Sequence, residues 1–209
     1  MKKVALVVFI ILLIDQVTKI YVKTHMAIGD SFNVAGLDWF QIHFVENPGA
    51  AYGFHLGGYT GKLILSALRI FLIILIAWWI NKNIKTGASN FYIYPMAMIL
   101  AGAAGNLIDG IFYSVMFDQG TILGANGEWE VPQQYVGKVA KLDWSGYNKP
   151  FLGCVVDMFH FPFGNFPEWV PIVGGKEFFS YVFNVADSAI TLGVTFLLLF
   201  RKKAFKGIE

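Results

Sequence analysis

A chain of 209 residues, 56% hydrophobic and only 14% charged, has the length of one domain and a composition that excludes the ordinary soluble class. A formal net charge of +2 is too small for a nucleic-acid surface, and a single cysteine, Cys154, excludes an internal disulfide and a thiolate metal cluster. A membrane protein fits these figures.

Residues 1–14, MKKVALVVFIILLI, have the basic start and apolar run of a signal peptide, but DQVTKIYVK follows where a small-residue cleavage site belongs. An uncleaved membrane span is therefore expected at 4–22, with others at 63–80, 91–115 and 178–200. Each is near the ~20 residues that a ~30 Å hydrocarbon core demands. The expected fold is membrane all-α: four transmembrane helices in one domain, 1–209, with outer loops at 23–62 and 116–177.

Four spans put both termini on one side, together with Lys2, Lys3, Lys82, Lys85, Arg201, Lys202, Lys203 and Lys206. Basic residues elsewhere are spread over long loops, which count for little in setting orientation, so both termini are expected in the cytoplasm. At about 1.5 Å per helical residue this orientation gives every polar side chain a depth. Asp15 and Lys19 on the first span, Arg69 on the second, Asn106 and Asp109 on the third, and Asn184 and Asp187 on the fourth all fall toward the outer leaflet. An Asp in hydrocarbon costs at least about 2.5–3.5 kcal/mol, so four spans agreeing on one depth describe a single site. The spacings i,i+4 (Asp15, Lys19) and i,i+3 (Asn106, Asp109; Asn184, Asp187) put each pair on one helix face. For Asp15 and Lys19 a self-neutralising structural pair is an equal reading.

In the first outer loop, Trp39, Gln41 and His43 alternate with Phe40, Ile42 and Phe44, the period of a strand in a small extracytoplasmic sheet. NPGAAYG follows at 47–53, where Gly49 and Gly53 permit a tight backbone. On the third span, AGAAGN at 101–106 is a small-residue stretch that lets a neighbouring helix come close and brings Asn106 up to its Asp. The extended second outer loop carries the polar turn GANGEWEVPQQ and then an apolar, aromatic stretch in which Asp157 stands alone. That segment is expected to fold down onto the membrane surface, at the depth of Asp187.

Two carboxylates in a poorly hydrated cleft cannot both ionise, so the pair keeps one proton. The charged member takes a proton from water while the neutral one donates to a carbonyl oxygen, which is peptide hydrolysis without a metal. Asp157 and Asp187 are the candidates, with Asn106 and Asn184 orienting them. His25, His43, His55 and His160 show no paired ligand spacing, so neither metal nor cofactor is expected. Ser66 and Ser188 lack a nucleophile motif, and Cys154 reads as a small buried residue.

The ordered motifs DQVTK (15–19), NPGAAYG (47–53), GNLID (105–109), VVD (155–157) and FNVADSAI (183–190) resemble those of lipoprotein signal peptidase, also called signal peptidase II, over nearly the whole chain. The resemblance implies a bacterial inner-membrane aspartyl endopeptidase that cuts the signal peptide from prolipoproteins just before a diacylglyceryl-modified cysteine. It puts the catalytic pair on Asp157 and Asp187 and supporting residues on Asp15, Lys19, Asn47, Gly105, Asn106 and Asn184. It also implies lipid-modified prolipoproteins and membrane lipids as partners, globomycin-type inhibitors, and a monomer. Two departures stand out. Gly110 occupies the place of an arginine that the family usually has after GNLID, a role that Arg69, at similar depth, is a candidate to fill. The loop before Asp157 is also longer than usual, and reads as a flap or a partner surface. Two rival functions are a small proton- or ion-coupled transporter and a non-catalytic factor that binds lipidated clients.

Overall fold

The computed structural model describes residues 1–49 and 58–206. Gly53 of the NPGAAYG motif and His55 therefore lie outside the described residues. The chain runs α1 (Lys2–His25), β1 (Ser31–Asn33), β2 (Gln41–Asn47), α2 (Gly58–Lys85), α3 (Asn90–Met116), β3 (Ile122–Leu123), β4 (Trp129–Glu130), β5 (Val155–His160), β6 (Val182–Phe183), α4 (Val185–Leu199) and α5 (Arg201–Ala204).

Among the described residues, α1, α2 and α3 are long and apolar enough to cross a membrane, and α4 is a shorter apolar helix of 15 residues. Their outward faces carry exposed side chains such as Leu6, Phe9, Phe71, Ile74, Leu198 and Leu199, the signature of helices solvated by lipid. The expected fourth span at 178–200 is corrected at its outer end. Residues 178–184 are not helical; Val182 and Phe183 form β6, and Asn184 caps α4. The reason lies in Asn184, whose side-chain oxygen accepts from Asp187 N at 2.9 Å while Asp187 Oδ2 accepts from Asn184 N at 3.3 Å, a reciprocal capping box. Ahead of that cap the backbone groups pair with β5 instead.

α3 is the centre of the bundle, packed against α1, α2 and α4. Its contact with α4 is close at two levels. A Cβ on Gly102 would lie 2.2 Å from Ala186 O, and one on Gly193 would lie 2.7 Å from Pro95 O. The AGAAG stretch thus permits helix approach as its composition suggests.

Above the bundle sits a four-stranded antiparallel sheet of order β1-β2-β5-β6. The strand expected from the alternation at 39–44 is β2. β5 is an inner strand, buried along most of its length and resting on α1 and α3. The Asp157 segment, expected to fold down onto the membrane surface, is an inner strand held over the helices by ladder bonds on both edges. An outer apolar cluster of Val22, Phe44, Tyr113, Phe117, Tyr135, Val156 and Met158 glues sheet to bundle. An inner cluster of Val4, Ile80, Tyr92, Met96, Ala97 and Ala204 closes the other end. Along α1 and α3, a buried polar layer of Asp15, Lys19 and Asp109 separates the two.

Candidate active site

The polar layer is built from α1. Lys19, fully buried, places its Nζ 2.9 Å from Asp15 Oδ2, 2.7 Å from Asp109 Oδ2 and 2.9 Å from Asn106 Oδ1. Lys19 and Asp15 therefore do not merely neutralise each other, since one ammonium serves two carboxylates and an amide. A buried cation is tolerable only with such a full set of acceptors. Asp15 Oδ1 accepts from Ala186 N at 2.9 Å, which places a carboxylate at the positive end of α4 and fixes that helix against α1. Gly105 makes the approach possible, since a Cβ there would lie 2.6 Å from Asp15 Oδ2.

From this base the hydrogen bonds pass outward in one direction. Asn106 Oδ1 accepts from Lys19, so its Nδ2 is the donor left over, and it donates to Asp187 Oδ1 at 2.7 Å. Asn184 Nδ2 donates to Asp157 Oδ1 at 2.6 Å and lies 3.2 Å from Asn106 Oδ1. Asn47 Nδ2 donates to Asp157 Oδ2 at 3.2 Å, and its own Oδ1 accepts from Gly49 N at 2.8 Å. That last bond is the Asx turn which the NPG sequence favours. Gly49 has φ of +100°, a conformation that a side chain rarely adopts.

Asp157, Asp187, Asn47, Asn106 and Arg69 line one cavity of about 710 Å³, walled by Phe179, Tyr181, Phe183 and Leu192. Every residue singled out in the sequence as catalytic or supporting is thus either in this wall or directly behind it. Asn184 joins the two aspartates; Asp15, Lys19 and Gly105 form the buried floor. Burial first, and then the nearby Asp187 charge, push the Asp157 carboxyl up to about 8, against the lowering effect of the Asn47 and Asn184 donors. Cys154 is buried and its thiol is pushed up to about 12 by burial, so it is no nucleophile at neutral pH.

Sequence reasoning passed over several groups that hold this geometry. Gln16 donates to Asp109 Oδ1 at 2.8 Å and accepts from Tyr113 OH at 3.2 Å. Lys62, buried at the start of α2, donates to Pro48 O at 2.6 Å and so ties α2 to the Asn47 turn. Lys23 pairs with Glu46, which also accepts from Tyr135 OH at 3.1 Å and Thr121 N at 2.6 Å. The long loop before Asp157 is fastened down through these bonds and through Tyr135 and Tyr147 around Lys23. The available signal was the i,i+4 repeat of Lys19 and Lys23 on one face of α1.

Residues 7–201 match the family model described as signal peptidase (SPase) II. The chain belongs to the signal peptidase II family. A lipoprotein signal peptidase of Porphyromonas gingivalis is 44% identical over 208 residues, covering 95% of this chain and 82% of that protein. One of Amoebophilus asiaticus is 33% identical, covering 92% and 75%. Among solved structures, a bacterial membrane enzyme determined at 1.9 Å resolution superposes with a TM-score of 0.60 at 25% identity, over 97% of this chain and 94% of that one. A second, determined at 2.3 Å, gives a TM-score of 0.60 at 23% identity and attests the fold. The chain is thus a membrane protease that processes lipoprotein signal peptides.

Proposed function

We propose that the chain is an aspartic endopeptidase that removes the signal peptide from diacylglyceryl-modified prolipoproteins, cutting on the N-terminal side of the lipidated cysteine. The observation that carries this reading is that Asp157 and Asp187, 30 positions apart in the chain, line one cavity, with Asn106 donating to Asp187 Oδ1 and Asn184 to Asp157 Oδ1. A water between the two carboxyls gives a proton to ionised Asp187 as its oxygen attacks the scissile carbonyl carbon. Neutral Asp157 gives its proton to the carbonyl oxygen. As the gem-diol collapses and the C–N bond breaks, ionised Asp157 takes a proton back from a gem-diol hydroxyl and the proton held by Asp187 passes to the leaving amine, so the pair returns to neutral Asp157 and ionised Asp187. Asn47, Asn106 and Asn184 orient the carboxyls; Asp15, Lys19 and Gly105 hold the floor; Arg69 contacts substrate backbone from α2.

The same reading gives four spans in a single domain, with both termini cytoplasmic and the cavity toward the outer leaflet of a bacterial inner membrane. The clustering of Lys82, Lys85, Arg201, Lys202 and Lys203 supports it. Phe179, Phe183 and Leu192 supply an apolar wall suited to acyl chains, and a monomer holds the complete site. The cavity is the expected seat of globomycin-type inhibitors. Transport is disfavoured because an apolar cluster closes the inner end of the bundle, where among the described residues Asn83 is buried and bonds Trp79 O but no charged side chain is buried. The test is cleavage of a lipidated precursor by purified protein in detergent. Asp157→Asn and Asp187→Asn are expected to bind precursor and to cut it at least roughly 10²-fold more slowly while unfolding as cooperatively as wild type; substantial turnover in either variant refutes the assignment.

A further inference from the structure

We propose that residues 165–177 form a membrane anchor, whose tip from Trp169 to Ile172 inserts into the leaflet on the active-site side. The segment leaves β5 and returns to β6 as a closed excursion. Phe166 N donates to Lys176 O at 2.8 Å, Gly175 N to Phe166 O at 3.0 Å, and Phe178 N to Gly164 O at 2.8 Å, with a bridge pairing Asn165 and Glu177. Its base is held by backbone hydrogen bonds, and its tip is apolar. Trp169 is 81% exposed and Ile172 90% exposed, and the run WVPIVGG at 169–175 carries no charge.

Ile172 combines two features that seldom coincide. It has φ of +75°, the left-handed region that a β-branched residue avoids, and its side chain is almost wholly exposed. In water both features are unfavourable with nothing to offset them. Against acyl chains the exposure becomes burial.

What covers the tip is indicated by the surface to which it is joined. Phe166 packs on Phe178 at 5.0 Å between ring centroids, Phe163 on Phe179 at 6.3 Å, and Phe179 on Phe183 at 6.3 Å. Phe179 and Phe183 share the cavity wall with Leu192, which is exposed on the lipid-facing side of α4. Apolar surface therefore continues from a membrane-embedded helix, past the cavity mouth, to the excursion. Phe163, Phe178 and Trp169 also have the composition of an interfacial aromatic belt. An anchor here holds the cavity mouth at the depth of the leaflet from which a lipid-bearing substrate arrives.

The test uses nitroxide labels at Trp169→Cys and Ile172→Cys in the full-length protein, reconstituted in phosphatidylcholine vesicles. Cys154 is 1% exposed and does not compete for label. Both labels are expected to collide more often with oxygen than with a water-soluble nickel chelate, whereas a control label at Asn126→Cys, in the exposed β3–β4 turn, shows the reverse. Independently of cysteine substitution, brominated phosphatidylcholine is expected to quench wild-type tryptophan fluorescence by a larger fraction than it quenches Trp169→Phe. Labels at 169 and 172 as accessible to nickel as the control, with equal quenching of the two proteins, overturn the anchor. Protection that appears only in native membranes and not in pure lipid assigns the tip to a protein partner instead, and overturns it equally.

Discussion

Asn184 donates its side-chain amide to Asp157 Oδ1 at 2.6 Å from the head of the helix that carries Asp187. One residue thereby does two jobs: its oxygen caps α4 and its nitrogen sets the second carboxyl. The jobs separate by substitution. Asn184→Ala removes both, and is expected to cost about 0.5–2 kcal/mol through the lost cap, together with most of the cleavage. Asn184→Ser keeps an oxygen for Asp187 N but cannot reach Asp157, so it is expected to unfold near the wild-type temperature and still cleave slowly. Thermal unfolding and precursor cleavage on the same samples check this; a serine variant that cuts at the wild-type rate contradicts it.

The Asp157 carboxyl, pushed up to about 8, predicts a pH dependence of definite sign. Its folded value lies above the ordinary ~3.9, so between these limits the folded state binds the proton that the unfolded state releases. The stability contributed by this group is complete below about pH 4 and is lost as pH rises through about 8. Catalysis needs the same proton, so kcat/KM is expected to fall above about pH 8. Asp157→Asn is expected to flatten the stability loss and lower cleavage by roughly 10²–10⁴-fold. Melting temperature against pH for both proteins, with the kcat/KM profile of wild type, is the measurement.

Much of the site was legible because charge in hydrocarbon is expensive. Asp15, Lys19, Asn106, Asp187 and Arg69 each interrupt an apolar run, and their common depth on separate helices follows from the helical rise alone. Asp157 was legible as a site residue but not as a strand residue, because the apolar neighbours Val155, Val156, Met158 and Phe159 read equally as membrane-facing and as an inner strand. The outer end of the last span failed for a related reason. FFSYVF is apolar enough for hydrocarbon, yet Asn184 stops the helix, and only the pairing of Phe183 with Phe159 across the strands reveals where the aromatic residues go. Lys62 was invisible in advance, and for Lys23 only its place on the Lys19 face of α1 was visible. Their partners, a carbonyl at Pro48 and a strand residue, are brought near by tertiary packing rather than by spacing.

The α3–α4 contact predicts contrasting behaviour at two glycines of one helix. In Gly102→Ala the new Cβ meets Ala186 O, a backbone atom, so α4 must move, and Asp187 follows Ala186 in that turn. Lower thermal stability and lower cleavage together are expected. Gly110→Ala adds a Cβ with nothing within 4 Å and a better helix former, so it is expected to be neutral or to stabilise by up to about 1 kcal/mol. A Gly102 variant that keeps full activity would show that the close approach does not position Asp187.

Arg69 supplies the last prediction. On α2, Arg69 opens onto the same cavity as Asp157 and Asp187. Its guanidinium rests against the Asn47 turn: a Cβ on Gly49 would lie 3.5 Å from Arg69 Nη2. A planar fork in that position can donate to a substrate carbonyl while its charge faces the two carboxyls. A hydrogen bond from a charged donor is worth about 1.5–3 kcal/mol, so Arg69→Ala is expected to lower kcat/KM by roughly 10- to 150-fold with folding intact. Arg69→Lys, which keeps the charge and loses the fork, is expected to recover only part of the loss. Wild-type kinetics in a well-folded Arg69→Ala protein would remove Arg69 from the site.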